Sequence, residues 1–423
     1  MTDASSGALR SLRNYNFRLW SAGSLTSNVG AWMQRTAQDW LVLTELTRHD
    51  ASAVGLVVAC QFGPQVLLLP WTGSAADYID RRKLLLATQA AMGLLALGLA
   101  ILTIGGWVRT WHVYVFALLL GCASAFDAPA RQTFVADLVG DDDLANAVAI
   151  NSTSANLARL VGPAIAGLLI AGIGSGWVFA INAASFVAVL LSLALMRTRD
   201  LVARDRPERK SGSFVEGLRY VRGRRDLIVL LAMLLVFGAL GMNFPIFIST
   251  MAASTFHLQA RGFGLLTSAM AIGSIAGALL AARRRRPTTA LIIGGALVFG
   301  CAYATGAVLP TPLLFGAALA VVGAASQTVT TSTTSLVQLS TEPQMRGRVM
   351  ALLLTIVLGG QPVGAPLVGW IANQFGPRWG VAVGAAAGFI TAAIGCAYLA
   401  LRRRDRPDET ISSEDAPVGT DQV

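Results

Sequence analysis

Five charged residues stand inside segments that are otherwise apolar. They are Arg35 and Asp39 in one segment, Asp127 and Arg131 in a second, and Arg159 in a third. Charge is costly inside a membrane, and residues that carry it there usually line a cavity or pair with one another. Each of the two pairs is spaced four residues apart, so its members can meet on one face of a helix. A carboxylate that an arginine approaches and leaves could bind and release a proton, and the pattern suggests this chemistry.

Each pair also has a structural interpretation, in which opposite charges neutralise each other so that the helix can enter the membrane. For Asp127 and Arg131 this interpretation is favoured, because Arg131 is expected near the cytoplasmic interface, where its side chain can reach water. For Asp39 both interpretations stay open, since it is expected in the outer half of its span. The predicted proton-coupling group is therefore Asp39 with Arg35 and Arg159, and Asp127 with Arg131 is a weaker candidate.

The elements that position these residues are predicted to be membrane-spanning helices. The 423 residues are 54% hydrophobic and 13% charged, which is too apolar for a soluble protein of this size. A membrane helix needs about 20 apolar residues. The apolar runs predict an all-α integral membrane protein with twelve spans, near 17–46, 52–72, 84–106, 111–138, 144–173, 176–196, 227–251, 263–282, 288–309, 312–340, 348–374 and 378–401.

A polar segment separates these spans into two sets of six. Residues 1–196 are the expected N-terminal bundle, and residues 227–401 the expected C-terminal bundle. The linker, 197–226, contains apolar residues at helical spacing over 214–221, which predicts an amphipathic helix on the membrane surface. Residues 402–423 are acidic and without periodicity, and we expect a disordered tail.

The two sets repeat each other weakly at an offset near 201 residues. The matching segments are 121–124 and 323–326, 138–148 and 339–349, and 162–167 and 364–369. Small residues recur in any helix packing, but three matches at nearly one offset favour a true repeat. Two pseudo-symmetric six-helix bundles are typical of secondary transporters, which bind the substrate between the halves.

The chain has a net charge of +10, and most of its basic residues lie on one side of the predicted spans. Basic residues collect in the loops that share a side with both termini, which predicts that both termini are cytoplasmic. These loops are expected to contact anionic lipids, and their placement argues against binding of nucleic acid.

The loop between the second and third predicted spans contains Gly73, Asp77 and the cluster Arg81, Arg82 and Lys83. This spacing resembles the cytoplasmic loop motif of the major facilitator superfamily. Longer segments resemble the efflux branch of that superfamily, which includes bacterial enterobactin exporters and macrolide or multidrug efflux proteins. These segments are Arg13–Trp20, Trp32–Arg35, Trp40–Leu43, Pro129–Gln132, Asp143–Ala147 and Arg346–Val349, within a resemblance over roughly residues 10–401.

The resemblance implies a secondary transporter of a bacterial inner membrane, which exports a small amphipathic substrate by proton antiport and alternating access. It also implies that the loop residues and Asp137, at the end of the fourth span, form a latch for the outward-facing state. Gly162, Pro163 and Gly167 resemble the fifth-helix motif of proton antiporters, although Ala166 replaces one glycine of that motif.

Further polar residues in the spans are candidates for contact with cargo. Asn151, Asn156, Asn243 and Gln361 could offer hydrogen bonds, and Trp32 could offer an apolar surface. For each polar residue, hydrogen bonding between helices is the favoured alternative.

The sequence contains no nucleotide-binding loop, and its histidines and cysteines lack the spacing of metal ligands. We therefore expect no cofactor and no enzymatic activity. The expected partners are the substrate, protons and anionic lipids, and the pattern is compatible with a monomer. Two alternatives remain: an uptake or uncoupled transporter of the same fold, and a membrane sensor or scaffold that transports nothing.

Overall fold

The structure, a computed structural model, describes residues 9–69, 71–72, 79–201, 214–282 and 287–404. Its first half contains α1 (Tyr15–Trp40), α2 (Ala51–Leu67), α3 (Arg81–Ile104), α4 (Thr110–Leu138), α5 (Asp141–Ile173) and α6 (Ser175–Ala194). The second half contains α7 (Phe214–Arg222), α8 (Arg225–Val236), α9 (Phe244–Thr250), α10 (Ala260–Ala282), α11 (Thr289–Val308), α12 (Pro312–Ser340), α13 (Arg346–Phe375) and α14 (Pro377–Arg404).

Ten stretches of the described residues are helical, long and apolar enough to cross a membrane, and the protein is a multi-pass membrane protein. They are α3 to α6, α10 to α14, and the interrupted stretch Arg225–Thr255. The prediction of twelve spans is met in part. The helix α2 is apolar but has 17 residues, and α1 has 26 residues but contains Arg18, Arg35 and Asp39.

Polar residues begin several of these helices by capping their free backbone N–H groups. The Asp50 carboxylate accepts a hydrogen bond from the Ser52 N–H at the start of α2, and Asp80 accepts one from the Lys83 N–H at the start of α3. Thr311 caps α12, and Pro312 follows it at a position where no N–H is needed. The start of α12 therefore coincides with the predicted start of the tenth span.

The seventh predicted span, 227–251, is not one continuous α-helix. It changes to a π-helical turn at Phe237–Gly241, and the short helix α9 begins after Asn243. Gly364 of α13 lies directly against the Ala239 carbonyl, so the interruption occurs where a second helix presses on the backbone. Glycines in this segment favour the irregular geometry, because they are poor helix formers.

The helices of each half pack mainly on one another, and the pattern of contacts is the same in both halves. In the first half, α1 contacts α5 and α6, α3 contacts α4 and α6, and α2 contacts α4. In the second half, the π-helical turn after α8 contacts α13 and α14, α11 contacts α12 and α14, and α10 contacts α12. Between the halves, α2 packs on α13 and α5 packs on α10. These two contacts are equivalent, because α2 in the first half corresponds to α10 in the second, and α5 corresponds to α13.

Within the predicted linker the structure has a helix, α7, which lies against the start of α13. Glu216 forms an ion pair with Arg348 at 3.0 Å, and Gly217 lets the α7 backbone approach the Arg348 side chain. Residues 202–213 of the linker and 405–423 of the tail lie outside the described residues.

Candidate functional site

Two arginines lie on the ring of one tryptophan where α1, α2 and α5 meet. The guanidinium of Arg35 is 5.0 Å from the centre of the Trp32 ring, and that of Arg159 is 5.5 Å from it. Arg35 also lies 5.5 Å from the ring of Phe62 in α2. A cation over an aromatic face gains about 0.5–2 kcal/mol, more when water is excluded. We call Trp32, Arg35, Asp39, Phe62 and Arg159 the Trp32 cluster.

Gly162 brings α5 close enough to α1 for this arrangement. A Cβ on residue 162 would lie 2.6 Å from the Cβ of Trp32 and 3.2 Å from the carbonyl oxygen of Val29. No side chain fits in that space, so glycine sets the distance between the two helices. Arg159 lies one turn before Gly162 on α5, and the close approach carries its side chain to the Trp32 ring.

Asp39 is buried, with 8% of its surface exposed, and lies one turn beyond Arg35 on α1. No ion pair joins Asp39 to Arg35 in this conformation, and the expectation that Arg35 approaches Asp39 in one conformation and leaves it in the other stays a prediction. Arg35 turns instead towards the aromatic rings of Trp32 and Phe62. Among the residues that the structure describes, none donates a hydrogen bond to Asp39, although Arg35 lies within electrostatic range. A buried carboxylate without a partner is costly unless it binds a proton.

The end of α1 that carries Asp39 also reaches the second half. Trp40 stacks on Phe263 of α10, with ring centres 5.7 Å apart and planes 20° apart. A cavity of about 560 Å³ lies between the halves here, and its lining includes Trp40, Glu45, His49 and His257. The Trp32 cluster therefore lies beside a contact between the halves.

The second pair, Asp127 and Arg131, has a complete set of partners. Arg131 Nε donates to Asp127 Oδ2 at 3.0 Å, while Asp127 Oδ1 accepts hydrogen bonds from Thr88 at 2.9 Å and Gln89 at 2.6 Å. Arg131 also donates to Ser24 at 3.0 Å and lies over the Trp20 ring. The network joins α1, α3 and α4, and this arrangement fits the structural interpretation.

The partners in this network were not predicted from the sequence. Ser24 and Asn28 on α1, and Thr88 and Gln89 on α3, were not singled out, although all four are polar residues inside apolar segments. Their signal was the same one that identified Asn151 and Asn156, namely polarity within a span. Only the packing of α1 and α3 against α4 distinguishes the residues that meet a charge.

The basic cluster at the start of α3 forms specific contacts. Arg81 Nη1 lies 2.6 Å from Asp137 Oδ1 at the end of α4, and both side chains are largely buried. Arg82 donates to the carbonyl oxygen of Leu193 at 2.9 Å, while the Lys83 N–H is bound by Asp80. Gly73 and Asp77, the other residues of the expected latch, lie outside the described residues.

Of the three motif residues, Pro163 and Gly167 lie where α5 crosses α10, whereas Gly162 faces α1. A Cβ on residue 167 would be 2.7 Å from the Ala260 carbonyl oxygen, and one on Gly264 would be 2.5 Å from the Pro163 carbonyl oxygen. The equivalent crossing of α2 and α13 has the same form, because a Cβ on Gly369 would be 2.6 Å from the Ala51 carbonyl oxygen. Small residues thus permit backbone contact between the halves.

The amide residues proposed to contact cargo are placed differently from one another. Asn156 is exposed on α5 and donates to the Ser152 carbonyl within its own helix, and Asn151 is half-buried. Asn243 is fully buried and donates to the Ala239 carbonyl, while Gln361 donates to the Met242 carbonyl, each at 2.6 Å. The side chains of Asn243 and Gln361 are thus bound to backbone carbonyls of the interrupted segment after α8.

Comparison with known proteins agrees with this architecture. Residues 6–419 match the family described as transmembrane secretion effector. The chain belongs to this family of the major facilitator superfamily. It is a membrane transporter related to efflux proteins, and the known members and structural relatives are transporters and not enzymes.

Relatives of this transporter include siderophore and drug transporters. The staphyloferrin A transporter of Staphylococcus aureus is 27% identical over 361 residues, which cover 82% of this chain and 87% of that protein. The multidrug efflux pump Tap of Mycobacterium tuberculosis (strain ATCC 25618 / H37Rv) is 28% identical, covering 84% and 86% of the two chains. The enterobactin exporter EntS of Shigella flexneri is 27% identical, covering 88% and 90%.

Solved structures share the fold at low identity. A bacterial homologue of the lysosomal transporter Spinster, in an inward-facing and occupied conformation, superposes with a TM-score of 0.72. The identity is 16%, and the alignment covers 94% of this chain and 99% of that one. The D-xylose-proton symporter superposes with a TM-score of 0.70 at 12% identity, covering 92% and 97%.

Proposed function

We propose that this transporter exports a small amphipathic molecule in exchange for protons, by alternating access between two bundles of six membrane helices. The bundles would comprise residues 1–196 and 227–401. Both termini would lie in the cytoplasm of a bacterial cell, with the basic loops against the anionic inner face of the membrane. The cargo class rests on the relatives, which are named as siderophore transporters and a multidrug efflux pump.

The symmetry of the helix contacts supports the two-bundle arrangement. Each half repeats the same internal contacts, and the halves meet through α2 on α13 and through α5 on α10. We place α1 and α2 among the spans, although one is charged and the other short, because both pack inside the same set of helices. A bundle that keeps its internal contacts can rock as a body against its partner.

The contacts between the halves also support alternating access. Gly167 on Ala260, Gly264 on Pro163 and Gly369 on Ala51 all lie towards the side opposite the basic loops. Ser268 of α10 donates to the Leu160 carbonyl at 3.0 Å, about two turns further into the membrane. Beyond that level Ser152, Ala155 and Asn156 on α5 are exposed. This pattern fits a conformation that is closed on the outer side and accessible from the cytoplasm.

The observation that carries proton coupling is the isolation of Asp39. Its carboxylate is buried without a hydrogen bond or ion pair from the described residues, whereas Asp127 has three such bonds. A proton therefore relieves the cost of burial at Asp39, whereas protonation at Asp127 would disrupt a satisfied network. Arg35 can alternate between the Trp32 ring and Asp39 by a change of side-chain rotamer. Such an exchange would bind and release a proton during each cycle.

Reconstituted transporter in liposomes tests this function. The vesicles contain a pH-sensitive dye and are presented with a panel of dyes, antibiotics and siderophores. We expect at least one cargo to drive proton movement in the unaltered protein, and we expect Asp39→Asn to abolish it. The control is Asp143→Asn, which removes a carboxylate paired with Arg10 at the surface.

The outcomes separate the alternatives. Cargo movement without proton movement would indicate an uncoupled transporter, and proton movement in the direction of the cargo would indicate uptake by symport. Loss of proton movement in Asp143→Asn as well would show that the effect is not specific to Asp39. If cargo neither binds nor moves, and changes to Asp39 have no effect in cells, the sensor or scaffold alternative is favoured.

A further inference from the structure

The Trp32 cluster carries an excess of positive charge. Arg35 and Arg159 both lie on the Trp32 ring, and neither forms an ion pair within the part of the chain that the structure describes. An aromatic face attracts a cation without neutralising its charge. Asp39 is within electrostatic range of Arg35, so two arginines face one carboxylate, and the excess grows when that carboxylate binds a proton.

The helices around the cluster do not supply a second carboxylate. Among the described helices, α2, α6 and α9 contain no charged residue, and the charges of α5 and α13 other than Arg159 lie in the first turn of each helix. The carboxylates of α4, Asp127 and Asp137, are each paired with an arginine. Charge without a partner is costly inside a membrane. The cluster therefore favours a bound molecule that brings an anionic group.

The guanidinium of Arg35 also covers the aromatic surface of the cluster. It lies 5.0 Å from the centre of the Trp32 ring and 5.5 Å from that of the Phe62 ring. Both rings are half-buried, and Ala155, one turn before Arg159 on α5, is exposed, so the cluster borders accessible space. Aromatic rings stack with their centres about 4.5–7 Å apart. An aromatic ring of a bound molecule would take the place of the guanidinium, and the two exclude each other.

We propose that Arg35 and the cargo compete for the rings of Trp32 and Phe62, and that the cargo carries an aromatic ring and an anionic group. This inference rests on the proposed exchange of cargo for protons. While Asp39 holds a proton, Arg35 stays on the rings and excludes the cargo. When the proton leaves to the cytoplasmic side, the Asp39 carboxylate attracts Arg35 and the rings are freed. The aromatic ring of the cargo then stacks there, and its anionic group lies beside Arg159.

Binding of small probes to the purified full-length protein tests this inference independently of transport. The protein is held in nanodiscs of phosphatidylcholine, and binding is measured by equilibrium dialysis against empty nanodiscs. Naphthoate is aromatic and anionic, naphthamide is aromatic and neutral, and decalin carboxylate is anionic and saturated. We expect naphthoate to bind most tightly of the three. Arg159→Gln should weaken naphthoate about tenfold and leave naphthamide unchanged, and Trp32→Leu should remove the preference for naphthoate over decalin carboxylate.

The two arginines should act in opposite directions. At a mildly acidic pH, Arg35→Gln should tighten naphthoate binding about fivefold, because the probe no longer displaces a guanidinium from the rings. In the unaltered protein, binding should tighten by a similar factor on going to a mildly alkaline pH, since Asp39 then loses its proton while naphthoate is ionised throughout. Asp39→Asn should bind weakly at both pH values. Saturating cargo overcomes a weakening of this size, so this variant still exchanges cargo.

Two exposed residues before α4 supply matched controls. Arg109→Gln and Trp107→Leu remove the same side chains away from the cluster, and both should bind naphthoate as the unaltered protein does. The inference is overturned if naphthoate binds no more tightly than the other two probes, or if Arg35→Gln weakens its binding. It is also overturned if the controls behave as Arg159→Gln and Trp32→Leu do.

Failure of this inference is distinguishable from failure of the proposed function. If cargo drives no proton movement in liposomes while Arg35→Gln and Arg159→Gln keep their opposite effects on naphthoate, the exchange is wrong and the competition for the rings is supported. If Asp39→Asn abolishes proton movement while the three probes bind equally, the exchange is supported and the competition is wrong.

Discussion

Gly162 of α5 lies so close to Trp32 of α1 that a Cβ on residue 162 would be 2.6 Å from the Trp32 Cβ. Gly162→Ala should therefore push α5 away from α1 and move Arg159 off the Trp32 ring. Overpacking of this kind costs about 1–3 kcal/mol. We expect a lower unfolding temperature and a loss of cargo transport.

Gly172 supplies the control for this substitution. It lies on the same helix, and a Cβ there would have no neighbour within 4 Å. Gly172→Ala should leave both the unfolding temperature and transport unchanged, as measured by thermal unfolding in detergent and by transport in liposomes. Equal behaviour of the two variants would contradict the role assigned to the close approach.

The ion pair between Asp127 and Arg131 should be important for stability. Removing one member of a buried pair typically costs about 3–5 kcal/mol, because the remaining charge has no partner. Asp127→Ala and Arg131→Ala should each lower the unfolding temperature strongly. The double variant should be destabilised by less than the sum of the two, since the residues act through each other. Additive effects in this double-mutant cycle would show that the pair is not coupled.

Arg81 and Asp137 join α3 to α4 by an ion pair at 2.6 Å. If this contact latches one transport state, Arg81→Asp should reduce the rate of cargo export, and the exchanged variant Arg81→Asp with Asp137→Arg should recover part of it. The recovery distinguishes an electrostatic contact from a general need for arginine. Asp143→Asn, at the more exposed pair with Arg10, should change the rate little. No recovery in the exchanged variant would contradict the latch.

Much of the helical framework could be predicted from apolar runs, because a membrane span requires a minimum number of apolar residues. The predicted span 312–340 coincides with Pro312–Ser340, and the amphipathic segment after residue 213 forms α7. The number of spans was harder to predict, since α1 contains charges and α2 has 17 residues. Local apolarity alone does not identify such helices, and their place depends on packing.

The candidate site was predictable in composition but not in its contacts. Intramembrane charge identified Arg35, Asp39 and Arg159, and the resemblance to the fifth-helix motif of proton antiporters identified Gly162. Spacing of four residues indicated that Arg35 and Asp39 can meet on one face of α1, but that rule describes an isolated helix. In the folded protein the rings of Phe62 on α2 and Trp32 on α1 lie beside the Arg35 guanidinium, which therefore contacts aromatic rings and not the Asp39 carboxylate. Contacts that come from another helix are not encoded in the spacing of one segment.

Cargo counterflow tests the claim that Asp39 carries the transported proton. Exchange of labelled for unlabelled cargo across a liposome membrane requires the protein to change conformation with cargo, but requires no net proton movement. Asp39→Asn keeps the volume of the side chain and removes its charge. We predict that this variant retains counterflow and loses transport driven by a pH gradient. Transport driven by the pH gradient at the unaltered rate in Asp39→Asn would contradict the claim.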